Sequence, residues 1–289
     1  MQQAQCAVNH SRSQFSEDLL LLPTLLLAAA AQPITQPSFV ELGAFNGITF
    51  SNTLMLERCF GWHGLLIEAN PRNFKALQRS GRASTMVHSA VCAASPSSEP
   101  QFVKMMDHGE QFAAQDGSLT EEKLRKIPPH LRKWSTANVP CRPLPAIMAA
   151  SGMPSATDVT LLSLDVEGAE DRVLANADPA AFRVLMAELD GIDRAKDARA
   201  EALITAHPAV RKAHELRVRN SQVYLRASLG EVFVNSTWLV DRGVLPADCC
   251  PKCASSSSCR NLAANRFNPT AEQLLDIVTR ASRHHQLPL

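Results

Sequence analysis

No stretch of this sequence stays apolar for long. The run from Leu19 to Ala31 is 13 residues, is interrupted by Pro23 and follows Glu17 and Asp18. A bilayer-spanning helix needs roughly 20 apolar residues, and a signal peptide wants a basic start. The run therefore reads as a core-facing helix of a protein without a membrane span, with a degraded signal or anchor as the alternative. Charge of one sign is equally scarce: 29 Lys and Arg stand against 28 Asp and Glu, a formal +1, with no long block of either. That argues against a nucleic-acid partner and leaves a small molecule or a glycan as the expected one. The stretch "FVELGAFNGITFSN", Phe39 to Asn52, holds Gly43 and Gly47 but has neither the third glycine of G-x-G-x-x-G nor the Gly-Lys-Ser/Thr ending of a P-loop. The usual phosphate-cradling loops are therefore missing. Internal repeats and heptads are absent as well.

What is present is enough for a sizeable core. The chain has 289 residues, 45% of them hydrophobic, which suits one main domain with a smaller appendage. Of its eight cysteines, Cys6, Cys59, Cys92 and Cys141 are scattered, whereas Cys249, Cys250, Cys253 and Cys259 fall within eleven residues. The scattered four read as free thiols in a reducing compartment. The expected location is therefore cytoplasmic, with a secretory address as the alternative.

From Pro37 onward short apolar strands alternate with helical stretches, the pattern of an α/β domain with a mainly parallel sheet. "SFVELGA", "HGLLIEAN", "STMVHSAVC", "VTLLSLDVEG" and "RVLMAELDG" read as successive strands. "HELRVRNSQVYLRAS" adds two more, with a tight turn at Asn220-Ser221. Helices are expected over "ITFSNTLMLERCF", "PRNFKALQRS", "LPAIMAASGM", "AEDRVLANA" and Lys196 to Ala206. Between Ala93 and Pro145 lies an irregular stretch of about 50 residues, long enough to suggest a lid-like insert or a disordered loop. The boundaries that follow are a helical segment over 1–36, the main domain over 37–235 with its insert at 93–145, and a Cys-containing extension over 236–289.

Ligands of open parallel sheets bind outside the carboxyl ends of the strands, and there the acids gather. Glu41 and the glycine turn end the first strand, Glu68 the second, Asp165 and Glu167 the fourth, Glu188 and Asp190 the fifth. Glu68 lies 21 residues after Gly47 (68 − 47), about the 20-residue interval at which nucleotide-binding units place a carboxylate on ribose hydroxyls. Glu41 beside the turn suits a cationic or zwitterionic ligand better than a pyrophosphate. S-adenosylmethionine has a ribose, an ammonium and a sulfonium but no phosphate, and it fits. The plainer alternative is a tight strand-to-helix turn with Glu68 on the surface. "LLSLDVEGAEDRVL", Leu161 to Leu174, weighs against it, because Asp165 and Glu167 are held side by side at the sheet edge, where neighbouring acids repel and lose water.

Taken in order, "SQFSED" at Ser13 to Asp18, "FVELGAFNGITFSNTLMLERCFGWHGLLIEANPRNF" at Phe39 to Phe74, "HSAVC", "LLSLDVEGAEDRVL" and "AELDG" resemble the FkbM-like S-adenosylmethionine-dependent methyltransferases, over roughly Ser13 to Arg226. The likeness is greatest to the eukaryotic and algal branch. It implies an α/β, Rossmann-like class I methyltransferase fold, a mainly parallel sheet of about seven strands with helices on both faces. It also implies O-methylation, frequently of sugars or polyketide-derived hydroxyls. Carried over, the resemblance puts the methionine part of the cofactor at Glu41, Gly43, Asn46 and Gly47, and the ribose at Glu68. It puts adenine near Ser89 and Ala90, and the methionine moiety or reacting centre near Asp165. Gln14 and Glu17 match a short motif that closes over the cofactor. Asn46 stands where relatives often have Asp, which removes a charge while keeping hydrogen bonds.

Methyl transfer is an in-line displacement, so the protein supplies alignment and a base for the hydroxyl proton. Asp165, Glu167, Glu188 and His88 are candidates for that base, Glu167 and Asp165 first. Asp165, Glu188 and Asp190 are also an oxygen set for Mg²⁺, although a contact between Asp165 and the cofactor's ammonium explains that acid without metal. The tail "CCPKCASSSSC" is open to unpaired thiols, a disulfide or zinc, its spacing being compressed for zinc. Trp62 reads as packing, and Trp134 with "KLRKIPPHLRK" as a solvated amphipathic stretch or an acceptor contact. Two other functions compete: a non-catalytic relative, which Asn46 would fit, and a nicotinamide-dependent oxidoreductase, which the missing glycine opposes.

Overall fold

The computed structural model describes residues 1–31, 36–94, 100–107, 113–115, 121, 125, 135–153, 157–229 and 269–285. Among these, the strands β1 (Ser38–Leu42), β2 (His63–Glu68), β3 (Thr85–His88), β8 (Val159–Leu164), β9 (Phe182–Glu188), β10 (Val210–Val218) and β11 (Ser221–Arg226) form one seven-stranded sheet. Its order is β10-β11-β9-β8-β1-β2-β3. β1, β2, β3, β8 and β9 pair in parallel, and β10 and β11 join antiparallel. The interior strands are near-continuous apolar runs because both faces of a parallel sheet are covered. Alternate side chains serve opposite cores. Phe39, Leu66, Leu161 and Met186 pack on one side; Val40, Leu65, Leu162 and Leu185 pack on the other.

The first side is covered by α1 (Gln2–His10), α2 (Glu17–Ala31), α3 (Leu54–Phe60) and the C-terminal helix Ala271–His285, all in one apolar cluster with the sheet. The apolar run at Leu19 is thus a buried helix, hydrophobic nearly all round because it lies between the sheet and the C-terminal helix. Trp62 packs in the same cluster. The second side is covered by the helices Leu144–Ala150, Glu170–Leu174 and Arg194–Thr205. Among the described residues no helix is long and apolar enough to cross a membrane. The chain runs from β1 outward to β3 and returns to β8 on β1's other side, so a crevice opens at the carboxyl ends of β1 and β8.

Four expectations change. The helix expected from Ile48 begins at Leu54, because Asn46 and Ser51 accept backbone N–H bonds from Ile48, Thr49, Thr53 and Leu54 in place of helical carbonyls. The strand expected over "STMVHSAVC" breaks at Ser89, and Ala90–Val91 (β4) belongs to a second sheet. The stretch expected to be irregular supplies the rest of that sheet: β5 (Gln101–Asp107), β6 (Ala113–Gln115) and β7 (Ser135–Arg142), in the order β4-β7-β5-β6. Finally, the scattered cysteines are not free thiols. Cys6 on α1 is bonded to Cys59 on α3, and Cys92 to Cys141, with Cα atoms 5.6 and 5.8 Å apart, within disulfide reach. Cys249, Cys250, Cys253, Cys259, Trp134 and most of "KLRKIPPHLRK" lie outside the described residues.

Candidate active site

A cavity of ≈ 240 Å³ occupies the crevice, floored by the carboxyl ends of β1, β2, β8 and β9. Ser89, Ala90, Val91 and Met105 of the small-sheet region close one side, and Gln14 and Glu17 another. The amino-terminal pair is held there by Asp18, which is buried and accepts from Ser11 Oγ, Ser13 Oγ and the amides of Arg12 and Leu19 at 2.6–3.2 Å. Ser13 also forms a β-bridge to Phe50. Burial pushes the carboxyls of both Glu17 and Asp18 above their ordinary values.

The turn after β1 is built around Gly43. Its φ is +81°, and a Cβ there would lie 1.7 Å from the Asp165 carbonyl oxygen, so only glycine lets the ends of β1 and β8 meet. Glu41 lines the cavity, yet its oxygens are already engaged. Ser51 Oγ donates at 3.0 Å, Thr53 Oγ1 at 2.6 Å and the Asn52 amide at 2.8 Å. Asn46 and Gly47 do not line the cavity. Asn46 Oδ1 accepts from the amides of Ile48 and Thr49, and Nδ2 donates to Thr49 Oγ1. Gly47 packs on Leu77 and Ser80. In their place the turn presents Thr49, Phe50, Ser51 and Asn52. Asn52 Nδ2 donates to Ser163 Oγ at 3.1 Å, while its Oδ1 is buried without a hydrogen-bond partner among the described residues. No motif marks Asn52; only its place two residues before the late start of α3 could have flagged it.

Glu68 faces the same cavity from the end of β2. Its oxygens accept from the Phe45 and Asn70 amides, each at 2.7 Å. Burial pushes its carboxyl from 4.5 up to about 7, against the amides of Asn70, Phe45 and Ala69 and helped by the nearby Asp107. Ser89, fully buried, donates to the carbonyls of Ala90 and Pro140 at 2.7 and 3.2 Å, which fixes the wall beside Glu68.

Asp165, Glu167 and Glu188 meet at the far end. Asp165 is open to the cavity but otherwise surrounded by protein. That enclosure, then the charges of Glu188, Glu167 and Glu170, holds its proton well above the carboxylate range, and it is hydrogen-bonded to Glu188. Glu167 sits at φ +52°, a left-handed conformation costly for a non-glycine residue. Glu170 does not belong to this group chemically: it accepts from the amides of Val166 and Gly168 and pairs with Lys196 at 3.5 Å, fixing the loop. None of the described lining residues is Lys, Arg or His.

His88, a candidate base, lies elsewhere: its ring stacks on Phe74 and bonds the Ala69 carbonyl at 3.0 Å. Asp190 also lies off the cavity and accepts from the Ile192 amide. Among the described residues no group of three or more His, Cys, Asp and Glu is arranged to hold a metal ion.

Residues 41–216 match the methyltransferase FkbM domain, more than half of the chain. No curated protein matches. Solved structures with a similar course include a Bacillus cereus O-methyltransferase in complex with SAH. It has 11% identity, covers 75% of this chain and 83% of that one, and gives a TM-score of 0.36. A candidate O-methyltransferase from Klebsiella pneumoniae has 10% identity, coverage of 75% and 81%, and a TM-score of 0.37. The human methyltransferase 10 domain containing protein has 10% identity, coverage of 72% and 80%, and a TM-score of 0.36.

Proposed function

Since the chain belongs to the FkbM-domain methyltransferases, we propose that it transfers a methyl group from S-adenosylmethionine to a hydroxyl of a small-molecule or glycan acceptor. The observation that carries this is the convergence of Gly43, Glu68 and Asp165 on one cavity. The residues fit the cofactor. Gly43 leaves a cradle that a Cβ would fill, Asn52 Oδ1 is an orphaned acceptor among the described residues, and Glu68 is an enclosed carboxyl two residues before the N-cap Asn70 of a helix. Glu68 would take the ribose hydroxyls, Ser89 and Ala90 the adenine side, and Asp165 with the Gly43 turn the methionine end. Gln14 and Glu17 would cover it, and the bound cofactor would supply the methyl group.

The rest falls to this chain. Burial, then the charges of Glu188, Glu167 and Glu170, favours the protonated form of Asp165. Glu167, in a left-handed backbone conformation on the loop at the same end, is the acid assigned to take the acceptor's hydroxyl proton. The non-catalytic alternative rested on Asn46, and a side chain turned into its own loop gives it no support. The cysteine pairings favour the secretory alternative over the cytoplasm.

Thermal shift separates the cofactor classes. S-adenosylhomocysteine is expected to raise the melting temperature and NAD to leave it unchanged; stabilisation by NAD alone would sink the proposal. Transfer of labelled methyl from the donor into a cell extract then tests activity, with Glu167→Gln as the inactive control.

A further inference from the structure

Arg82 stands behind the turn and does not line the cavity. Its side chain is fully enclosed. Nη1 donates to the Gly47 carbonyl at 2.8 Å and to Ser51 Oγ at 3.1 Å, Nη2 to Thr53 Oγ1 at 2.9 Å, and Nε to Glu57 Oε2 at 3.0 Å. Nη1 also lies 3.8 Å from Glu41 Oε2. The two hydroxyls that accept from Arg82 are those that donate to Glu41. A hydroxyl has one hydrogen, so accepting from the guanidinium and donating to the carboxylate fixes its rotor.

The consequence reaches the cavity. Between Gly47 and Thr53 the backbone is outside any helix or named strand, with the Phe50 bridge to Ser13 and the Ser51 amide on the Ile48 carbonyl as its backbone ties, so side chains supply much of the hold. One guanidinium grips it at positions 47, 51 and 53, and Glu41 holds the Asn52 amide at 2.8 Å. This is the segment that carries Thr49, Phe50 and Asn52 into the cavity wall. We propose that Arg82 is a positioning residue for the cofactor, acting through Ser51, Thr53 and Glu41 to preform that wall without touching the ligand. The inference rests on the cavity being the S-adenosylmethionine site. A lysine cannot replace it, because one ammonium has no planar fork with which to reach these separated acceptors.

Arg183 supplies the control. It too is a buried guanidinium, bonded to Asp158 and to the Ala28 carbonyl. Neither it nor its partners line the cavity. Binding of S-adenosylhomocysteine by calorimetry and amide hydrogen exchange of the free protein are compared for the parent, Arg82→Lys and Arg183→Lys. Arg82→Lys is expected to weaken binding about tenfold or more, as small misplacements of a site do. Arg183→Lys should change binding by no more than about twofold, as for a distant independent site. Exchange at Ile48 to Leu54 should accelerate in Arg82→Lys while β8 stays protected. A folded Arg82→Lys protein that binds as tightly as the parent, or whose turn exchanges at the parental rate, overturns the inference. If the parent itself binds no S-adenosylhomocysteine, the cofactor reading fails, and with it the claim about the ligand. The exchange arm still decides whether Arg82 holds the turn. Should Arg82→Lys not fold, Glu57→Ala removes the acceptor of Nε and frees one arm of the same guanidinium. Parental binding and exchange in Glu57→Ala would then overturn the inference.

Discussion

Both ends of the cavity are acidic, but their acids are in opposite situations. At the β1 turn Glu41 is satisfied by two hydroxyls, one amide and an arginine, and serves as a structural anchor. At the β8 and β9 ends, Asp165, Glu167 and Glu188 crowd one another, and no described cation lines the cavity beside them. The difference shows that an acid at a strand end is not yet a functional acid. Glu41 is surrounded by hydroxyl, amide and guanidinium donors, whereas Asp165 is set among other carboxyls that raise its proton affinity.

The comparison can be broken by a crossed pair of variants. Glu167→Gln is expected to lower methyl transfer by about 10²–10⁴-fold, the usual worth of a general base. Its melting temperature and S-adenosylhomocysteine affinity should stay near the parent's. Full activity in Glu167→Gln would move the base to Asp165 or Glu188. Glu41→Ala reverses the pattern and leaves buried donors unpaired, costing about 3–5 kcal/mol of stability in denaturant unfolding. A Glu41→Ala protein as stable as the parent would show that the turn does not depend on its anchor.

Glu68 lies between these cases and titrates where it can be watched. Its carboxyl is pushed up to about 7 by burial, and only the ionised form accepts from both hydroxyls of a diol. Affinity for S-adenosylhomocysteine should therefore fall below pH 7, by at most about tenfold per pH unit, and level off above it. Stability carries the opposite sign. The folded form keeps a proton that the unfolded form releases above about 4.5, so this group's contribution declines as pH rises from about 4.5 to 7. A binding curve flat from pH 6 to 8, identical to that of Glu68→Gln, would remove Glu68 from the ribose.

Much of this architecture is written locally and much is not. The parallel strands were legible because each is a short apolar run with turn residues after it, and the acids at their ends follow from that placement. The small sheet was not legible. β7 contains Pro140 and few β-branched residues, and β5 alternates only weakly, so their pairing rests on contacts distant in sequence, while Cys92–Cys141 ties β7 beside β4. Nor was the division of labour among the acids legible. Glu41 and Glu167 look alike in a string, and the partners that separate them, Arg82 and Ser51 among them, lie ten or more residues away.

Asn46 gives the smallest and most discriminating test. An acid here would be expected to strengthen cofactor binding if the side chain touched the ligand's cationic end. Instead Oδ1 caps the amides of Ile48 and Thr49 at 3.0 and 2.8 Å, and Nδ2 bonds Thr49 Oγ1 at 3.0 Å. Asn46→Asp keeps both backbone bonds, because a carboxylate oxygen accepts equally well. It loses only the amide donor, whose role Thr49 can reverse by donating its own hydroxyl hydrogen to the new oxygen. Affinity for S-adenosylhomocysteine should therefore change by no more than about twofold, as for a substitution away from the ligand. A gain of tenfold or more in calorimetry would mean that the turn opens on binding and brings position 46 to the cofactor. The contrast between an anchored end and an end of crowded carboxyls would then hold only for the free protein.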